Sequence, residues 1–293
     1  MPFLEDIKNI FKDKNNGLMR IIFINIALFI LVNLIIEIGK VSGYNSADVL
    51  TWLALSSNLS IYLSHFWTLI TYMFLHTELM HILFNMLWLY WMGKIFTEYL
   101  GSKRLVVTYL MGGICGGILF VLLYNFVPAL RESNFLLGAS AGVMAIVVAI
   151  AVLIPDYVIQ LLFFGPVKIK YVALVSFVTT TVLDFSQNTG GKIAHLGGAL
   201  YGLLYIIQYK KGTDWSKGPI SLLDKLTSLF KKEKKSKMKV AYKRSVSDEE
   251  YNANKLNNQR VIDDILDKIS RSGYESLSKK EKDILFKMSN KEK

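Results

Sequence analysis

Six apolar runs, near residues 18–39, 77–96, 104–127, 140–155, 168–184 and 192–209, occupy most of the first 209 positions. About 20 helical residues are needed to cross a hydrocarbon core of roughly 30 Å. Inside lipid a chain must satisfy its backbone within helices or a closed barrel. The runs therefore predict an all-α, polytopic membrane protein with six transmembrane helices. The stretch from Tyr44 to Leu75 is apolar but broken by Ser, Asn and Thr, which predicts a long interfacial loop with short amphipathic helices.

Charge divides the chain. From Lys210 onward lie 22 basic and 13 acidic residues, which accounts for nine of the eleven net positive charges. Four parts are expected: a cytoplasmic segment 1–17, a membrane domain 18–211, an amphipathic helix with a basic linker 212–255, and a small helical hairpin 256–293. Lys and Arg in short connections mark the cytoplasmic side. Lys8, Lys12, Lys14 and Arg20 precede the first run, Lys94, Lys103 and Arg104 flank the second connection, Lys168 and Lys170 sit in the fourth, and Lys210 and Lys211 follow the sixth. Arg131 and Lys192 are isolated basic residues on the other side. Both termini are thus expected to be cytoplasmic. The charged opening and long first run predict a retained span rather than a cleaved signal, and a bacterial inner membrane rather than a mitochondrion.

A polar group within such runs is costly unless something uses it. His76, His81 and Asn85 are expected on one membrane helix, that of the second run, Ser140 opens the fourth within Gly138-Ala139-Ser140-Ala141-Gly142, and His195 lies early in the sixth. From Ser140 to Pro155 the fourth helix has room for roughly 22 Å, so Ser140 is expected about 8 Å below the outer surface. The loop that reaches it must line a protein-enclosed or hydrated cavity. His81 and Asn85, four residues apart, share a helix face about one and two turns below the same surface, and His195 lies about 5 Å down. The three helices thus bring polar groups to one outer third of the membrane.

Chemistry assigns the roles. A serine hydroxyl needs a base to take its proton, and a neutral imidazole serves. Ser140 is read as nucleophile and His195 as base; the sixth run offers no acid beside His195, which favours a dyad over a triad. Asp184, at the end of the fifth run, is the one distant partner to weigh. His81, Asn85 and the Ser140 backbone N–H supply donors for a developing oxyanion. Gly198 and Gly202 form a small-xxx-small face, and Ala141, Gly142 and Ala145 keep the fourth helix slim, so that close contact would bring His195 to Ser140. A bulky residue at Gly198 is expected to remove activity without unfolding. Cys115, among Gly112, Gly113, Gly116 and Gly117, reads as a packing residue. These residues call for no metal and no cofactor.

In the tail, Leu222, Leu223, Leu226, Leu229 and Phe230 share a helical face within 219–230, ahead of Lys231-Lys232-Glu233-Lys234-Lys235. That pattern, over 219–239, predicts contact with anionic lipid headgroups. Few aromatics interleave the lysines, so nucleic acid is not an expected partner. Val261, Ile262, Ile265, Leu266 and Ile269 recur at helical spacing up to Gly273, and Ser278 with Glu281 forms a capping box. The hairpin is expected to dock on a partner or on the membrane domain.

Residues 60–209 resemble the rhomboid intramembrane serine proteases in His76-x4-His81-x3-Asn85, Gly138-Ala139-Ser140 and Ala194-His195-x2-Gly198-x3-Gly202. The resemblance implies a six-helix bundle, a Ser140–His195 dyad, oxyanion donors at His81 and Asn85, and a helix contact at Gly198 and Gly202. His76 and Gly138 enter as supporting positions of the motifs. The resemblance also implies cleavage of single-span membrane proteins near the outer face, with the fifth span and the loop Phe185 to Gly191 as the gate. Trp67-Thr68 stands where many members carry Trp-Arg, and Met144 where well-known members carry a tyrosine beneath the histidine. Two other readings stay open: a catalytically silent relative that binds and escorts membrane helices, and a proton-relaying transporter.

Overall fold

The computed structural model describes residues 9–13, 15–43, 47–130, 134–162, 164–183, 188–229 and 248–289. The chain divides into two compact units, residues 1–232 and 233–293.

The first unit is mostly helical. Helix α1 (Gly17–Val41) is followed by the short helices α2 (Ala47–Leu53), α3 (Leu59–Ser64) and α4 (Thr68–Thr71), the last continuing into a 3-10 turn, Tyr72–Phe74. Then come α5 (Leu79–Leu100), α6 (Ser102–Phe126), α7 (Ser140–Leu153), α8 (Ile169–Phe177), which ends in a π turn at Val178–Val182, α9 (Thr189–Lys210) and α10 (Lys217–Leu229). Each apolar run coincides with a helix. By length and apolar composition α1 and α6 are long enough to cross a membrane, while Ser140–Leu153 and Ile169–Val182 are shorter apolar helices.

Helix α7 is apolar on every side, and such a helix must be enclosed. Ala141–Val147 and Ala149–Ala151 are buried. Small residues at four-residue spacing make the enclosure tight. A Cβ at Gly112 or Gly202 would collide with Ala145, and one at Gly116 would lie 2.7 Å from the Ala141 Cβ. On the outside, Leu83, Phe84 and Trp91 of α5 and Leu196 and Leu200 of α9 are exposed, as in a bundle whose surface faces lipid rather than water.

Two short antiparallel pairs accompany the helices of this mostly helical chain. Strand β1 (Leu55–Ser56) pairs with β2 (Phe135–Leu136), and β3 (Val158–Leu161) pairs with β4 (Gly165–Lys168). The first pair is continued by Ser57 N–H donating to Asn134 O at 2.9 Å and Asn134 N–H donating to Ser57 Oγ at 2.9 Å. It thus satisfies the backbone of the irregular segment leading into α7. The second pair turns at Gly165 (φ +69°), where a left-handed backbone favours glycine. Lys168 and Lys170 both bond Asp156 at 2.9 Å and hold its carboxyl below the ordinary range.

At the opposite end from Ser140, Gly17 N–H donates to Ser102 Oγ at 2.7 Å, Arg104 pairs with Asp214 at 2.9 Å and Lys210 Nζ donates to Val152 O at 2.7 Å. The basic connections therefore gather at one end of the bundle. Helix α10 joins them through Lys103–Asp224 at 2.6 Å. Its expected apolar face is divided, with Leu223 half-buried and Leu222 and Leu226 exposed. Arg131, Asp184, residues 185–187 of the proposed gate, Phe230 and the basic run through residue 247 lie outside the described residues.

The second unit holds α11 (Asp248–Ser272) and α12 (Lys279–Ser289). Helix α11 begins within the stretch expected as linker and stops at Gly273 (φ +75°), whose N–H donates to Ile269 O at 2.9 Å. The capping box is formed: Ser278 N–H donates to Glu281 Oε2 at 2.7 Å and Glu281 N–H to Ser278 Oγ at 3.4 Å. Lys268, which also bonds Glu281 at 2.9 Å, and then the Ser278 groups pull the Glu281 carboxyl down to about 2. A carboxylate whose folded value is depressed stabilises the fold above its unfolded value, here about 4.3, and loses that contribution as pH falls through the folded value. Hydrogen-exchange protection across residues 262–285 of the full chain, taken relative to the intrinsic rate at each pH, should therefore fall between pH 5 and about pH 2, and Glu281→Gln should remove most of that pH dependence.

Candidate active site

The site is built upward from residues 72–76. Tyr72 O–H donates to Gly113 O at 2.6 Å, Tyr109 O–H donates to Met73 O at 2.7 Å, and Asn33 Nδ2 donates to His76 O at 2.9 Å. Three polar side chains on other parts of the bundle or within the turn thus hold an irregular backbone where lipid could not. That backbone in turn holds the entry to α7. Gly138 N–H donates to Tyr72 O at 2.9 Å, and Ala139 N–H donates to Nε2 of the buried His76 at 3.2 Å; His76 is thus not on the helix of His81 and Asn85, as expected from sequence, but in the connection before α5, which begins at Leu79.

Gly138 has φ +119°, a conformation that side chains rarely adopt, and a Cβ there would lie 2.7 Å from His81 Cε1 and 2.9 Å from His81 Nε2. Glycine is required on both counts. The His81 ring sits 5.1 Å from the His76 ring, edge to face. One turn further along α5, the buried Asn85 donates one Nδ2 hydrogen to His81 O at 2.9 Å, which leaves its second amide hydrogen for another acceptor. Ser140 starts α7 immediately after this loop and is half-buried. The first N–H groups of α7 have no acceptor within the helix.

Helix α9 meets this point from the other side. A Cβ at Gly198 would collide with the Ala141 carbonyl, one at Gly116 would lie 2.6 Å from Ala194 O, and one at Gly197 2.7 Å from Gly116 Cα. Ala141, Gly116 and residues 194–198 therefore share one level. His195 is about 4.5 Å along α9 from Gly198, on the side of Ser140. No hydrogen bond joins Ser140 to His195; the imidazole uses Nδ1, 3.2 Å from Thr180 O in the π turn. With Nδ1–H donating there, the neutral ring keeps the lone pair on Nε2.

Three residues before His195 on α9, the buried Lys192 donates through Nζ to Leu183 O at 2.6 Å. Two side chains one turn apart thus grip two carbonyls one turn apart at the end of α8. Sequence reasoning passed over this clamp and over Asn33, Tyr72 and Tyr109. Asn33 and Lys192 did carry a signal, as polar residues within apolar runs. Thr68, which stands in place of a charged anchor, donates through Oγ1 to His65 O at 2.7 Å, while the Trp67 indole N–H donates to Trp52 O at 2.9 Å and its ring stacks on Trp52 at 5.6 Å. Met144 is buried.

The fold and site define a helical domain of a membrane-embedded class, with a polar centre at the level where three helices touch through small residues. The rhomboid domain model matches residues 63–211, just over half of the chain, and the chain belongs to the rhomboid family. A second model, a family of unknown function (DUF6576), matches residues 246–291. RHOMBOID-like protein 12, mitochondrial, of Arabidopsis thaliana is 29% identical over 158 residues, 50% of this chain and 47% of that protein. Rhomboid protease GlpG of Yersinia pestis (strain Pestoides F) is 36% identical over 69 residues, 24% of each chain. The chain thus spans less than half the length of these curated relatives.

Proposed function

We propose that this chain is an intramembrane serine endopeptidase that cuts single-span membrane proteins in or near their transmembrane segments. Ser140 attacks the carbonyl, and His195 takes its proton through Nε2 and gives it to the amine as the C–N bond breaks; a water that loses its proton to His195 then cleaves the acyl ester and frees Ser140. His81, Asn85 and the Ser140 N–H stabilise the oxyanion, while His76 and Gly138 shape the loop that presents them. The observation that carries this reading is the tether of His195 Nδ1 to the Thr180 carbonyl, beside the contact of Gly198 with Ala141. A backbone carbonyl fills the place that a carboxylate fills in a triad, selecting the tautomer a base requires. Catalytic hydrogen bonds often close only around substrate, so the free chain need not hold Ser140 and His195 bonded.

In this reading α1, α5, α6, α7, α8 and α9 are six spans, with α7 too short to cross alone. The bundle end bearing Arg20, Lys103, Arg104 and Lys210 faces the cytoplasm, as do both termini, in a bacterial plasma membrane. A substrate helix has its backbone already bonded and must unwind before a carbonyl reaches Ser140, so substrates carry Gly, Pro or small residues near the cut. The segment 219–239 touches anionic headgroups. A fluorophosphonate probe, which forms a stable bond with an activated serine, tests the assignment. It should label the detergent-solubilised chain once, and Ser140→Ala and His195→Ala should abolish labelling; no labelling of the parent protein would favour a silent, helix-binding relative.

A further inference from the structure

At the bundle end remote from Ser140, α1, α6 and α10 enclose a cavity of about 900 Å³. Its lining is graded. Lys12, Arg20 and Lys103 stand at one end, and Ile24, Leu110 and Phe74 lie deeper. Along α6, Leu110 is about 10 Å beyond Lys103, so charge gives way to apolar surface over the depth of one bilayer interface.

The three cations are not equally matched. Lys103 is paired with Asp224 at 2.6 Å. Arg20 spends Nε and Nη2 on the carbonyls of Ile10, Phe11 and Asp13, which uses three of its five N–H hydrogens, leaves the two on Nη1 and does not neutralise its charge. Among the described residues Lys12 has no hydrogen-bond or ion-pair partner. Two positive charges thus remain above an apolar cleft that opens where the chain meets the headgroup region.

We propose that this cleft is a binding site for one anionic phospholipid of the adjacent leaflet, with its phosphate at Lys12 and Arg20 and an acyl chain along Ile24 and Leu110 toward Phe74. A zwitterionic lipid would fill the cleft equally well but leave the two charges unmatched. An amphiphile with an anionic head fits both parts. The proposal rests on membrane embedding of the family and is independent of Ser140, because no catalytic group lines the cleft.

A basic residue near an anionic headgroup contributes roughly a fivefold preference, so the two together give roughly 25-fold. The full chain, reconstituted in nanodiscs holding equal phosphatidylglycerol and phosphatidylcholine of one chain length and then released for native mass spectrometry, should retain one phosphatidylglycerol with that order of preference. Lys12→Glu should lower the preference at least fivefold while leaving the fold intact, since its side chain touches only the mouth. Leu110→Trp should reduce retention of both lipids by occupying the cleft. Equal retention of the two lipids by the parent chain would overturn the proposal. So would phosphatidylglycerol retention unchanged in both variants, which would mean that protein rather than lipid fills the space. Because bound lipid is read directly, the result stands apart from whether the chain cleaves peptides.

Discussion

Ser140→Ala and His195→Ala are each expected to slow cleavage of a single-span substrate by at least about 10⁴-fold, and the double variant should be no slower than the worse single one. Groups that act as one unit are far from additive: once the base is gone the hydroxyl is not activated, and once the hydroxyl is gone the base has nothing to deprotonate. A residue of catalysis over water should remain, from the oxyanion donors and from binding. Initial rates in proteoliposomes, with protein amount matched by thermal unfolding, make the measurement. Multiplicative losses in the double variant would show that the two residues work separately, and the dyad would have to be abandoned.

The second large effect is expected at Gly198. A methyl group there overlaps the Ala141 carbonyl, which is backbone and cannot rotate aside. Overpacking in a close-packed interior costs about 1–3 kcal/mol and occasionally more. Gly198→Ala should therefore lower thermal stability as well as activity, short of unfolding the protein. The loss of rate should exceed what the unfolded fraction explains, because moving His195 by about 1 Å from Ser140 costs on the order of 10²-fold. Gly198→Val should lose both stability and activity further. Full activity in a folded Gly198→Val protein would mean that α7 and α9 need not touch for catalysis.

What could be read from residues alone follows from where the information is stored. The helices were legible because apolar length in a membrane chain leaves few alternatives. Gly138, Gly198 and Gly202 were legible because a missing side chain records a close approach, and the structure places another atom where each Cβ would be. The hairpin at Gly273, Ser278 and Glu281 was legible because helix ends are written in local chemistry. The first strand pair was not, since Leu55–Ser56 and Phe135–Leu136 are two residues each and the partners Leu55–Leu136 and Ser56–Phe135 are 81 and 79 positions apart. Nor was the partner of His195. Thr180 contributes a carbonyl, which every residue possesses, and its availability depends on where α8 ends in a π turn. The Tyr109 and Asn33 bonds that set residues 72–76 were hidden for a related reason, because their acceptors too are backbone.

The enclosure of α7 also bears on how such a molecule is made. Helices leave the ribosome in chain order, and the imidazole arrives on α9, well after the serine on α7. Until α9 inserts, the Ala141 and Ala145 carbonyl faces against which Gly198 and Gly202 press have no neighbour on that side. A nascent or truncated chain ending before residue 189 therefore holds Ser140 without His195, which on the proposed roles is a nucleophile with no base. If the proposed dyad does the chemistry, the chain would be inert throughout its own biogenesis, in a membrane crowded with other proteins' spans, and would become competent only when its closing helix is in place.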